Sequence, residues 1–360
     1  MKTAIFLGAG ASKAEGASTQ DELFKEYFKL LNNRYTHPNE EMVCEIKKFF
    51  KIIFDIDTDN PNLENIDFPI FEEAFGILDL ADVRNESFKD FSNLNITTDS
   101  GKLKFLRIYL ILLMAEVIDN DLKEYKGLHM QLINNLAYHD KLKDIIFLTT
   151  NYDILIDNAL THLFERGILM DYGVDFINYD DSVDEWKKPD ENSIKLFKLH
   201  GSLNWLYCST CNHLKLTPLR KGVINLITNP NEAKCKYCGT IYSPIIVPPT
   251  FFKDFTNIYL NIIWNKAETY LREVEHIIFC GYSFNDSDMY IKYLLKRIQK
   301  NRNSNSNLKV TVINNHTGKS FSDKNEEELK YKRFLGSRVN YTSFSFEDFV
   351  NDPISIINRS

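Results

Sequence analysis

The sequence predicts an α/β protein, a doubly wound parallel sheet of Rossmann-like type that carries a helical insertion and a small zinc ribbon. Three observations predict it. Short apolar runs alternate with helical stretches at the start of the chain and again from residue 144 onward, the pattern of a parallel sheet with crossover helices. Between them, a block at about residues 20 to 140 shows helical apolar spacing. Four cysteines fall in two Cys-x-x-Cys pairs with 23 residues between them, a spacing that suits a metal.

The elements follow in order. TAIFL reads as a strand, Gly8-Ala9-Gly10-Ala11-Ser12 as a turn, and the residues after it as a helix start. Two glycines let the backbone turn sharply and approach a phosphate, and a helix N-terminus offers free N–H groups. The turn departs from the dinucleotide pattern G-x-G-x-x-G, because Lys13 stands at its third glycine position. A plain strand-to-helix turn is the competing reading. In the insertion, FEEAFGILDLADV (71–83) and KFLRIYLILLMAEVI (104–118) are expected helices. Polar breaks, DTDNPNLEN and NLNITTDSGK, separate the helical segments. DIIFLTTNYD, SIKLFKLHG, HIIFCGYSFNDSD and LKVTVINNH read as strands with their exit loops. ILIDNALTHLF and MYIKYLLKRIQK read as helices, the cysteine segment 208–238 as lacking a strong helix, and NRNSNSN (301–307) as a surface loop. The expected organisation is one domain over 1–350, with an insertion at 20–140 and a zinc-ribbon module at 205–242, then a tail at 351–360.

Composition narrows the function classes. The 360 residues are 44% hydrophobic and carry a formal net charge of -7. An acidic balance argues against broad binding to nucleic acid or anionic membranes. Lys215, Arg220 and Lys221 near the cysteines, and Lys292, Lys296, Arg297, Lys300 and Arg302 on a helix, read as solvated faces. The helix cations also complement the C-terminal end of the dipole. The longest apolar run, Ile108 to Ala115, is far short of the ~20 residues of a spanning helix. The first residues lack the pattern of a secretory signal. The expectation is a soluble, cytoplasmic protein.

In such a chain the cysteines suggest metal before disulfide. Cys208, Cys211, Cys235 and Cys238 supply four thiolates for a tetrahedral zinc with no open position, hence a structural one. Gly239 suits the tight turn after the second pair. A module this poor in apolar residues would draw its folding energy from the metal, ~10–16 kcal/mol in small zinc modules. His213 is a spare ligand. Cys44 and Cys280, in apolar surroundings, read as buried small residues.

Asn151 and Asp153 in TTNYD, and His200 in KLHGS, stand where strands end. Ligands bind at such strand ends in open α/β sheets. Thr, Asn and Asp also cap helices well, and a histidine at a strand end can serve only a local hydrogen bond.

Taken in order, GAGAS, TTNYD, KLHGS, the two cysteine pairs, GYS and VTVINN resemble the sirtuin family of NAD-consuming enzymes, from about Thr3 to about Val350. Asn-Tyr-Asp in place of Gln-Asn-Ile-Asp, and Gly-Tyr-Ser-Phe in place of Gly-Thr-Ser, are similar to a bacterial branch. Its members are NAD-depleting anti-phage effectors, and single-domain chains of this kind are found beside HerA-type ATPases. The resemblance implies NAD as substrate. Gly8, Ala9, Gly10, Ala11 and Ser12 would line its phosphates, and Asn151 and Asp153 would sit around the nicotinamide ribose with Thr150 beside them. His200 would be the catalytic histidine. Gly281 and Ser283 would contact the phosphate and adenosine side, and Asn314 would lie near the adenosine. The four cysteines would be the family's structural zinc site.

Two departures bear on the reaction. Deacetylases continue the glycine loop as Gly-Ile-Pro-Asp-Phe-Arg, where this chain has Gly16-Ala17-Ser18-Thr19-Gln20-Asp21. Their peptide-pairing Val-Val-x-Phe-Gly-Glu stretch is replaced by IIVPPTFFKDF, in which Pro248 and Pro249 cannot donate ladder hydrogen bonds. The expected activity is therefore hydrolysis of NAD to nicotinamide and ADP-ribose. Asn151 would hold a ribose hydroxyl or water. His200, with an ordinary pKa of ~6.5, would accept a proton, and Asp153 would stabilise positive charge. The alternatives are an NAD-dependent protein deacylase or ADP-ribosyltransferase, and a non-catalytic NAD-, ADP-ribose- or nucleic-acid-binding subunit. With SFEDFV as the sheet's last recognisable segment and no sensor domain expected after it, control would come from assembly. The expected assemblies are a homo-oligomer through the insertion or a complex with a HerA-type ATPase.

Overall fold

The structure is a computed structural model that describes residues 1–33, 39–89, 99–163, 167–179, 187–217, 222–228, 233–247, 257–286, 288–302 and 308–358. Its strands are β1 (Thr3–Leu7), β2 (Ile145–Thr149), β3 (Met170–Asp171), β4 (Ile194–Lys198), β5 (Gly201–Tyr207), β6 (Leu214–Leu216), β7 (Ser243–Ile246), β8 (His276–Cys280), β9 (Lys309–Ile313) and β10 (Asn340–Thr342). Seven form a sheet in the order β10-β9-β8-β1-β2-β4-β3, and every pairing in it is parallel. This is the doubly wound α/β class expected from the sequence. β1, β2, β4 and β8 are buried along their whole length, which is why they read as unbroken apolar runs.

From β1 the chain passes to β2, then to β3 at the sheet edge and back to β4 between them, and afterwards crosses to β8 on the other side of β1 and winds outward through β9 and β10. The winding reverses between β1 and β8. A crevice opens beyond the strand carboxyl ends at such a reversal.

Helices Leu23–Asn32, Glu40–Phe54, Phe71–Arg84 and Asp99–Asp121 make up most of the insertion. Their apolar stripes meet in a core of their own, built around Phe24, Phe28, Phe49, Phe50, Phe71 and Phe75. That core also takes in Leu203, Leu206, Cys208, Val223, Cys235 and Tyr242 from the cysteine module. The sheet has a separate core. The cysteine module packs against both cores, adding Trp205, Leu214, Leu216 and Ile245 to that of the sheet, and the crevice lies where residues of the sheet's loops and of the insertion meet.

Four expectations need correction. Cys44 is exposed, not buried. Its helix buries Met42, Ile46, Phe49 and Phe50, and position 44 falls about 200° round from 42, on the solvent side. The cysteine segment contains a short helix, Gly222–Thr228, with Val223 in the core. The basic helix is not simply solvated. Lys292 is buried and pairs with Asp286 at 2.7 Å, Lys296 donates to the Phe334 carbonyl, and Arg297 pairs with Glu268 at 2.9 Å. Residues 353–358, read as part of a tail, form a helix that buries Pro353, Ile356 and Ile357. Arg220, Lys221, Pro248, Pro249 and most of NRNSNSN lie outside the described residues. Among the described residues, no helix is long and apolar enough to cross a membrane.

Candidate active site

The loops after β1 and β8 touch through backbone. Gly10 N–H donates to the Gly281 carbonyl at 2.8 Å, Gly8 N–H to the Cys280 carbonyl at 2.9 Å, and Gly281 N–H to the Ile313 carbonyl at 2.9 Å. A Cβ on Gly10 would sit 2.8 Å from Gly281 Cα, and one on Gly281 would sit 2.4 Å from Ala11 N. Gly281 also holds φ at +61°. The glycines of GAGAS and GYS are therefore required by each other. Two N–H groups at the head of this turn are already engaged, Gly10 with Gly281 and Ala11 with Gly8 at 3.0 Å.

The turn after β2 is built by short side chains. Thr149 Oγ1 donates to the Leu7 carbonyl at 2.9 Å and accepts the Asn151 N–H at 2.9 Å. Asn151 Nδ2 donates to the Gly8 carbonyl at 2.9 Å and to Ser12 Oγ at 2.8 Å. Ser12 Oγ donates to Asp153 Oδ2 at 2.6 Å, and Asp153 Oδ1 accepts the Leu155 N–H at 3.1 Å. Asp153 thus closes a side-chain turn just before the helix Leu155–Thr161, whose N-cap is Ile154, and joins the polar cluster at once. Thr150, Asn151 and Asp153 line the crevice, and none of them is the N-cap of the following helix.

His200 follows β4 and is 3% exposed. Its carbonyl accepts the Val247 N–H at 2.9 Å, and the Tyr152 hydroxyl donates to the Val247 carbonyl at 2.7 Å. Gly201 then begins β5 at φ +86°, where a Cβ would lie 1.9 Å from the Ile245 carbonyl oxygen. The His-Gly turn is held against β7 and has no room for another residue type.

These segments enclose a cavity of about 120 Å³. Ala9, Ser12, Thr150, Asn151, Asp153, His200 and Ser283 are in its lining. An open cleft of about 1490 Å³ adjoins it and is lined by Ala9, Gly10, Gly281, Ser283 and Asn314 among others. Ala9, Thr19, Gln20, Ser283 and Asn285 face both spaces. Gly8 and Ala11 line neither; Gly8 contributes its carbonyl to Asn151, and Ala11 is fully buried.

Other lining residues were not anticipated. Ser18, Thr19 and Gln20 form one wall, Leu23, Phe71, Met114 and Ile118 bring apolar surface from the insertion, and Tyr282 and Asp288 come from the loop after β8. Asp288 accepts the Tyr282 hydroxyl at 2.7 Å, and burial first, then the nearby Asp288 charge, push the Tyr282 hydroxyl well up. The acids in GYSFNDSD carried a signal for Asp288. The insertion's contribution left no local signal, because its residues are ordinary apolar positions.

The four cysteines meet as expected. Their Sγ atoms all lie within 4.8 Å of one another, with Cys208 and Cys238 at 3.4 Å and Cys211 and Cys235 at 3.5 Å. Tetrahedral zinc with bonds of ~2.3 Å spaces sulfurs by about 3.8 Å, so the donor set fits that ion. Each pair is followed by a left-handed residue, Asn212 at φ +57° and Gly239 at φ +73°. The N–H of each bonds back to the carbonyl of the pair's first cysteine. His213 Nδ1 lies 3.2 Å from Cys211 Sγ, beside the four sulfurs.

The sheet and its crevice define a protein of the open, doubly wound α/β class. A family model described as a SIR2-like domain matches residues 145–336, and the chain belongs to that family. Membership supports use of NAD. Among solved structures, the chain is similar to Sir2 in complex with the inhibitor EX-527, 2'-O-acetyl-ADP-ribose and a deacetylated p53 peptide. That match has 13% identity, 99% of this chain and 94% of that one covered, and a TM-score of 0.44. A structure described under the mechanism and regulation of Sir2 enzymes matches at 12% identity, covering 99% and 92%, with a TM-score of 0.40. One described under sirtuin substrate affinity matches at 13%, covering 98% and 93%, also at 0.40. No curated protein matches the chain.

Proposed function

We propose that the chain is an NAD hydrolase that cleaves the nicotinamide–ribose bond to give nicotinamide and ADP-ribose. The observation that carries the reading is the convergence of Ser12, Asn151, Asp153 and His200 on one cavity that adjoins the long cleft. The cleft takes the ADP part of the dinucleotide, and the cavity takes the nicotinamide ribose. The cavity's volume leaves room for water.

In this reading the ribose C1′–N bond breaks and its electron pair leaves with nicotinamide, which becomes neutral. No acid is needed for that departure. Positive charge develops on the ribose, where the Asp153 carboxylate stabilises it. Asn151, whose amide is already aimed by Gly8 and Ser12, holds the ribose or the water. His200 accepts a proton as water adds to C1′. Zinc would supply structure at the four cysteines and take no part in the chemistry. The replacement of the peptide-pairing stretch by a segment with Pro248-Pro249 favours water over an acyl-lysine as acceptor.

The same reading makes the enzyme an NAD-depleting effector of anti-phage defence, cytoplasmic, and held in check by assembly with itself or with a HerA-type ATPase.

The test is to incubate the purified chain with NAD and no acylated peptide, and to follow nicotinamide and ADP-ribose by chromatography. His200→Ala and Asn151→Ala should each lower kcat by about 100-fold or more. NAD that stays intact until an acylated peptide is added would reject hydrolysis in favour of deacylation.

A further inference from the structure

Behind the cavity wall lies a set of buried polar groups that the roles above do not use. Lys198 is the last residue of β4, and its side chain is 0% exposed. Asp157, Tyr172, Ser202 and Asn204 are buried with it. Lys198 Nζ pairs with Asp157 Oδ2 at 2.9 Å and donates to the backbone carbonyl of Asp153. Asp157 Oδ1 accepts the Tyr172 hydroxyl and, at 3.4 Å, Asn204 Nδ2. Ser202 Oγ donates to Asn204 Oδ1 at 2.6 Å.

A lysine and an aspartate this deeply buried are unusual, and a buried pair is a weak contributor to stability, because an apolar pair of similar volume often does as well. Stability alone gives no reason for charge here. What the pair does reach is the backbone of the candidate catalytic turn. Lysine suits the task, since its four-carbon stem crosses from the sheet to the helix Leu155–Thr161 and its ammonium carries several donors.

We propose that Lys198 is a positioning residue for the cleavage reaction, fixing the Asn151–Asp153 turn relative to His200. The inference rests on the hydrolase reading for its activity readout. On one side the ammonium holds the Asp153 carbonyl. On the other, Asp157 and Asn204 lead to Ser202, two residues past His200, and the Leu203 N–H donates to the Tyr152 carbonyl at 3.0 Å. The turn and the His200 segment are thus joined by one charged network. A shift of the turn costs Lys198 the Asp153 carbonyl, and a shift of the Ser202–Asn204 segment costs Asp157 the Asn204 amide, so each segment is held by a hydrogen bond to a buried charge.

The experiment compares wild type, Lys198→Met and Lys198→Met/Asp157→Asn in the full chain. Lys198→Met strands the Asp157 carboxylate and should melt lower. The double variant removes both charges, while the amide introduced at position 157 can still accept from Tyr172, so it should melt within about 5 °C of wild type. Its kcat should nevertheless fall roughly 100-fold, with KM for NAD within about threefold, since a misplaced reacting group costs rate rather than binding. A double variant with wild-type melting and wild-type kcat overturns the proposal, because a merely structural pair would recover both together. If the double variant does not fold, Tyr172→Phe takes its place. A kcat loss of about tenfold at constant KM supports the proposal, and an unchanged kcat overturns it. If wild type releases no nicotinamide, the hydrolase reading fails by itself. The His200 ring NMR signal, assigned by its loss in His200→Ala, then decides, in the double variant or in Tyr172→Phe if the double does not fold. A shift in that signal supports positioning, and an unmoved signal overturns it.

Discussion

At the scale of single residues, the site depends on positions where only one side chain fits. Gly201 is the sharpest case, with positive φ and a carbonyl where a Cβ would go. Gly201→Ala should lower stability by about 3 kcal/mol or more, read by urea unfolding, and should displace His200 even in the folded fraction. His276 gives a different single-residue effect. It is fully buried at the start of β8, its Nε2 lies 2.8 Å from Thr311 Oγ1, and burial, then the Lys309 charge, hold its pKa down at about 4. The folded state therefore favours the neutral ring. That contribution is complete above the ordinary value of about 6.5 and is lost as pH falls from there toward 4. Wild type should thus lose more melting temperature between pH 7.5 and pH 4.5 than His276→Gln does, measured by thermal scans at each pH.

At the scale of elements, the cysteine module and the insertion stand or fall together. Cys208 and Cys235 sit in the same core as Phe24 and Phe50, so the cysteine knuckles brace helices distant in sequence. We expect about one zinc per chain by elemental analysis, and loss of it in Cys235→Ser. Chelation should expose the insertion to limited proteolysis, because Cys208 and Cys235 pack in its core. The glycine-turn helix is tied to the insertion in another way. Glu15, fully buried, accepts the N–H groups of Gly127 and His129 at 2.8 and 2.7 Å and the His129 ring at 2.9 Å. Burial opposes its charge, but the His129 hydrogen bonds and charge outweigh that and hold the carboxyl below its usual value. The carboxylate thereby closes the start of the helix Leu128–Tyr138.

At the scale of the whole molecule, the crevice exists because two cores meet along it. The parallel, doubly wound sheet was readable in outline from the alternation of strands and helices, while its strand order was not. TTNYD and KLHGS stood out because strand ends place polar residues where ligands bind, and the paired cysteines because their spacing suits a tetrahedral ion. Cys44 misled because apolar neighbours in sequence do not lie on the same face of a helix. Lys198 was visible as a lysine inside an apolar strand, yet its partner Asp157 lies 41 residues away, a separation that no local pattern encodes. The sequence by itself pointed to β1, β2, β4, β8 and β9, to most of the long helices, to the clustered cysteines and to the polar residues at the strand ends, because periodicity and spacing are local properties. Only the tertiary structure decided that Phe71, Met114 and Ile118 wall the cavity, that Gly10 and Gly281 need each other, and that a buried Lys198–Asp157 pair reaches the backbone of the turn after β2. Those facts depend on which residues, far apart along the chain, pack at one point, and long-range packing is what the fold supplies.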